Sequence, residues 1–141
     1  MKSLLYTLLA IVFLTSTAGK MTSSDKGLEK QLLGKWQFTG QSGGFAGATE
    51  TAKSNSVRII EFKKDGKYVR YKNGEPMYQG NYQLCREKSI HTGKVDNAIR
   101  FDPKVDATES GNILTIDGDI LILADNFNDG YTIGYKRLSP L

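Results

Sequence analysis

The 141-residue chain predicts an all-β fold, an antiparallel up-and-down barrel of about eight strands preceded by a short N-terminal helix. Three observations carry this. Short runs that alternate apolar and polar residues recur from Val57 onward, separated by Gly, Asn and Asp turn signals. The single tryptophan, Trp36, opens the first run, where the largest apolar side chain plugs one end of a barrel or sandwich. The last run sets Tyr131, Ile133, Tyr135 and Arg137 on one face, and pairing it with the first run closes the sheet and removes its edges. An open sandwich is the alternative closure.

Met1 to Ala18 reads as a secretory signal: Lys2 is the charged start, Leu4 to Leu14 an apolar core too short to span a bilayer, and Ser16-Thr17-Ala18 a small-residue cleavage site before Gly19. No cysteine follows the apolar core, so a lipid-attachment site is not expected. The segment 19–141 is then a single domain, exported to the periplasm or the outside and without stable membrane insertion after cleavage. Thr22 to Leu33 places Leu28, Leu32 and Leu33 at helical spacing, and a helix capped by Ser24 or Asp25 would cover the closed end of the barrel.

In the first strand Trp36 and Phe38 share a face with Gly34 and Gly40, and Arg137 of the last strand is positioned to lie across the Trp36 ring. Gly34, Trp36 and Arg137 together resemble the signature of the lipocalin-like (calycin) barrels, a Gly-x-Trp on the first strand and a cation on the last. The segments 43–47, 62–68, 80–84 and 124–127 are similar to those of small exported lipocalin-like proteins of Bacteroidota, so the likeness extends over nearly the whole chain after residue 18. What it implies is a fold and a compartment rather than a reaction.

From Gly40 to Ser56 the chain is rich in Gly, Ser, Thr and Ala, and reads as a long connection where a lid would sit. No Gly-Lys-Ser/Thr follows its glycines, which argues against a phosphate loop. The remaining strands are expected at 57–63, 67–72, 77–85, 97–101, 112–116, 119–124 and 131–138, with Asp117-Gly118 as a two-residue hairpin signal.

Composition excludes several functions. Loss of Lys2 leaves a net charge of about +3, and the dispersed cations form no basic face, so nucleic acid is not an expected partner. Cys85 is the only cysteine, either a buried structural thiol or one half of an intermolecular disulfide. His91, the only histidine, sits in a polar loop with no zinc spacing or nucleophile elbow around it. Residues 125–130 carry Phe127 where a calcium ligand belongs and Lys136 where the closing Glu belongs, and read as a turn. Neither catalytic residues, metal nor cofactor is expected.

The register of the hairpin around Lys64-Asp65-Gly66 decides what lines the interior. A three-residue turn sets Phe62 opposite Tyr68 and Ile60 opposite Arg70, and points Arg58 inward as well. A two-residue turn sets Phe62 opposite Val69 and sends Arg70 to solvent. In the first register Arg58 and Arg70 anchor a carboxylate or phosphate at the mouth of a pocket lined by Phe62, Tyr68, Tyr82, Tyr131 and Tyr135. Otherwise the arginines are solvated strand residues and the aromatics ordinary core. The functional expectation is a binding module for a small hydrophobic or amphipathic molecule, an anion among the candidates. The alternative is a packed barrel that meets a protein or glycan through its loops. A cavity of roughly 300 Å³ or more separates the two.

Overall fold

The computed structural model describes residues 23–104 and 110–138. The expected signal segment and its cleavage site lie outside the described residues. The elements are α1 (Ser23–Leu32), β1 (Gly34–Gly43), β2 (Ala48–Thr51), β3 (Arg58–Lys63), β4 (Lys67–Lys72), β5 (Glu75–Lys88), β6 (Val95–Phe101), β7 (Asn112–Asp117), β8 (Ile120–Asp125) and β9 (Tyr131–Arg137). β1 and β3 to β9 pair antiparallel in chain order, and β9 returns to β1 from Trp36↔Arg137 to Gly43↔Tyr131. The result is a closed eight-stranded barrel, with β2 as an additional strand folded onto the far half of β1.

One end is plugged as the sequence implies. Trp36 is fully buried, its indole N–H donates to the Leu32 carbonyl at 2.8 Å, and the Arg137 guanidinium lies 4.0 Å from its ring centre. Arg137 also donates to the carbonyls of Leu33 and Gln31, so one side chain ties the last strand to the end of α1. Gly34 has φ +112°, a conformation that a side chain resists, and Arg137 Nη1 lies 3.6 Å from where a Cβ would stand. Arg137→Ala is expected to cost about 1.5–3 kcal/mol, the range for hydrogen bonds to a charged group, read as a shift in urea midpoint. Helix α1 is described from Ser23, so the expected cap at Ser24 or Asp25 lies at the edge of the described residues. Its Leu32 is fully buried and Leu28 packs on the core.

The hairpin register is the three-residue one: Phe62↔Tyr68, Ile60↔Arg70 and Arg58↔Lys72. Asp65 and Gly66 both take φ +66°, which turns the chain without shifting the pleat. Three sequence expectations change. The 40–56 connection is largely structured, because β1 runs on to Gly43 and β2 pairs back on it. The pairing of β1 with β9 slips at Thr39, so Gly40 opposes Gly134 and leaves the face of Trp36 and Phe38. The β7–β8 turn is Gly118-Asp119, with Asp117 opposite Ile120, because glycine takes the first central position at φ +56°.

Candidate functional site

At the end of the barrel opposite Trp36 a cavity of about 340 Å³ opens between β1, β3, β4, the start of β5 and β9. Phe38, Ile60, Ile133 and Tyr135 give it an apolar wall, and Arg58, Arg70 and Lys72 stand around it. A wider cleft of about 530 Å³ lies beside α1 and the 89–94 turn, and both it and the mouth cavity, which Ile59 and Tyr71 also line, take residues from the two strand faces. The mouth cavity is the stronger candidate, because it combines an apolar wall with convergent cations.

The two arginines are held differently. The Arg58 guanidinium stacks 3.5 Å from the Phe38 ring centre and pairs with Glu50 of β2 at 2.7 Å. Arg70 makes no ion pair among the described residues; its guanidinium lies 5.5 Å from the Tyr68 ring centre and 5.3 Å from that of Phe101. Both positive charges act on Tyr135, whose phenol is pushed up by burial and partly pulled back by Arg70 and Arg58.

Beside Arg70 sits a cluster centred on Asp102. Its carboxylate accepts from the phenols of Tyr68 at 2.7 Å and Tyr78 at 2.8 Å and from the Asn81 N–H at 2.8 Å. Burial alone would raise this acid, but those hydrogen bonds and the nearby Arg70 outweigh it and hold it below its ordinary value. The Tyr68 phenol is pushed well up, first by burial and then by its bond to Asp102. A carboxyl lowered on folding stabilises above its unfolded pKa, about 3.9, and loses that contribution as pH falls through the folded value. Asp102→Asn should therefore lower Tm at neutral pH and converge with wild type in acid, a comparison that thermal denaturation across pH provides.

Of the aromatics expected around a ligand, only Tyr135 lines the cavity. Phe62, Tyr68 and Tyr82 belong to the packed core beneath it, Phe62 edge-on to Tyr82 at 5.3 Å and Tyr68 to Phe101 at 4.9 Å. Neighbouring strands present these rings at one level, and they fill one another's space. Burial pushes the Tyr82 phenol up to about 12, and its hydroxyl donates to the Lys63 carbonyl. Tyr131 lies at the rim, 39% exposed.

Sequence reasoning missed Glu50, Gln41, Lys72, Ile133 and Asp102. Glu50 had a faint signal as the lone acid in the glycine-rich stretch. Asp102 had none: it lies past the end of β6 at φ +47°, outside any strand alternation.

The other chemistry-bearing residues make structural contacts. His91 Nε2 lies 3.0 Å from the Asp125 carbonyl. The Asp125 carboxylate accepts from the Tyr131 N–H and Asn112 Nδ2. Cys85 is half-buried, its thiol pushed up by burial and then by the neighbouring Glu87. Glu87 pairs with Arg100 at 2.6 Å and accepts from the Gly111 N–H, joining β5, β6 and the approach to β7.

No family model, curated protein or solved structure matches the chain.

Proposed function

We propose that the protein is an exported, lipocalin-like binding module, without catalytic activity, for a small hydrophobic or amphipathic molecule, preferentially one with an anionic head. The observation that carries this reading is the cavity of about 340 Å³ with Arg58 and Arg70 above an apolar wall. Its volume is within the usual range of small-molecule sites. Arg70, with no ion pair among the described residues, favours an anion as its counter-charge, Arg58 can exchange Glu50 for the same anion, and Phe38 and Ile133 cover a tail. Export to the periplasm or the outside is part of the proposal and follows from the reading of residues 1–18.

A native mass spectrum of protein purified from its own host tests this directly. The expected spectrum holds a non-covalent adduct of small mass that an organic solvent releases as an amphipathic compound. A bare polypeptide mass in every preparation would favour a barrel that works through its loops on a protein or glycan. Glu50→Ala is expected to strengthen binding of alkyl carboxylates by about threefold, since it removes a competitor for Arg58 worth the 0.2–1 kcal/mol of an exposed ion pair. Calorimetric titration reads that change.

A further inference from the structure

The mouth cavity has a neighbour with which it shares Arg58 and Lys72. This second chamber, an open surface cleft of about 410 Å³, is otherwise lined by Glu50 and Lys53 and by the polar groups of Asn55, Ser56 and Asn73, with Lys53, Asn55, Lys72 and Asn73 exposed. Its walls are built rather than incidental. The Asn73 side chain accepts from the Val57 N–H at 2.9 Å, and the Asn73 N–H donates to the Val57 carbonyl at 2.8 Å. The Ser56 N–H closes the turn on the Lys53 carbonyl at 3.1 Å. Those bonds fasten the strand that enters β3 to the turn between β4 and β5.

Arg58 is the partition. Its guanidinium stacks on Phe38 toward the apolar cavity and bonds Glu50 toward the polar chamber. The charges that line the chamber are those of Lys53, Arg58 and Lys72 against Glu50, an excess of two positive charges. A carboxylate head leaves one of these unanswered. A phosphate monoester, at about −1.5 to −2 near neutral pH and with three acceptor oxygens, answers both.

We propose that the ligand is an amphipathic phosphate monoester, its phosphate in the polar chamber against Lys53, Arg58 and Lys72 and its apolar tail in the cavity beside Phe38 and Ile133. This rests on the binding-module reading and narrows its ligand class. Glu50 is the resident counter-ion of Arg58, which the phosphate displaces. Lys53 serves the phosphate most, since it lines only the polar chamber.

The test is calorimetry on the barrel with octyl phosphate, octanoate and inorganic phosphate, and sedimentation with phosphatidylcholine vesicles with and without phosphatidic acid. Octyl phosphate is expected to bind about tenfold tighter than octanoate, a difference of 1.4 kcal/mol, and inorganic phosphate more weakly than either. Lys53→Ala, a change at an exposed side chain, should weaken octyl phosphate several-fold and octanoate by clearly less. Equal affinity for the two octyl compounds, with Lys53→Ala silent, would overturn the phosphate assignment and leave the binding module standing. Absence of binding by both octyl compounds would overturn the module as well. Sedimentation with phosphatidic acid vesicles without binding of monomeric octyl phosphate would reassign the cations to attraction by a lipid surface, against this proposal.

Discussion

Trp36→Ala is expected to destabilise the barrel by about 3–5 kcal/mol, the range for emptying a buried Trp site. The indole is fully buried, and it supports three other parts of the fold. Its N–H satisfies the Leu32 carbonyl at the end of α1, its face carries the Arg137 guanidinium at 4.0 Å, and its strand position opposes Ile60 of β3. The truncation therefore leaves a cavity and also removes the surface against which the last strand and the helix are fixed. Trp36→Phe keeps the ring and loses the hydrogen bond, so its cost should fall well below that of alanine. Urea denaturation measures both, and wild-type stability in the alanine variant would remove the organising role of the closed end.

Arg58→Ala and Arg70→Ala are each expected to weaken binding of an amphipathic anion by about 1.5–3 kcal/mol, the range for hydrogen bonds to charged groups. The two losses differ in origin. Arg70 makes no ion pair among the described residues, so its removal subtracts an attraction and takes a neighbouring cation from the Asp102 carboxylate, which keeps its hydrogen bonds from Tyr68, Tyr78 and Asn81. Removal of Arg58 also strands Glu50, whose carboxylate then repels the incoming anion at the mouth. Glu50→Ala in the Arg58→Ala background should accordingly recover part of the affinity, while the same change beside Arg70→Ala should not compensate for the lost cation. Neutral-headed ligands with the same tail should bind all these variants about equally.

The closed end was legible because its parts carry sequence signals: one Trp, a Gly before it that needs a positive φ, and a cation on a strand that could close the sheet. The strands were legible for the same reason, since alternation and turn residues mark them locally. The interior was less so. Arg58 and Arg70 depend on a register set by Asp65 and Gly66 together, and both the two-residue and the three-residue turn fit the local sequence. Once the three-residue turn is formed, parity turns both arginines to the face of Ile60 and Phe62, but at the open mouth, where Arg70 is exposed and the Arg58 side chain is 37% exposed.

Why Phe62, Tyr68 and Tyr82 are core while Tyr135 lines a cavity is a matter of level along the barrel axis, which the period-two pattern does not encode. Glu50 reaches Arg58 only because β2 folds back on β1, a pairing that the glycine-rich composition concealed. Gly40 left the inner face through the slip at Thr39, a feature with no signature in single residues. Asp102 gathers two phenols from β4 and β5, so it could be found only after those strands were in register.

The central claim is that the mouth of the barrel holds an amphipathic anion, and a paired calorimetric titration with octanoate and octanol tests it most directly. The account predicts one saturable site for octanoate below millimolar concentration, weaker binding of octanol, and loss of the difference between them in the Arg58→Ala, Arg70→Ala double variant. Failure of both ligands to bind below millimolar concentration, or equal affinity for the two in the wild-type protein, would contradict it.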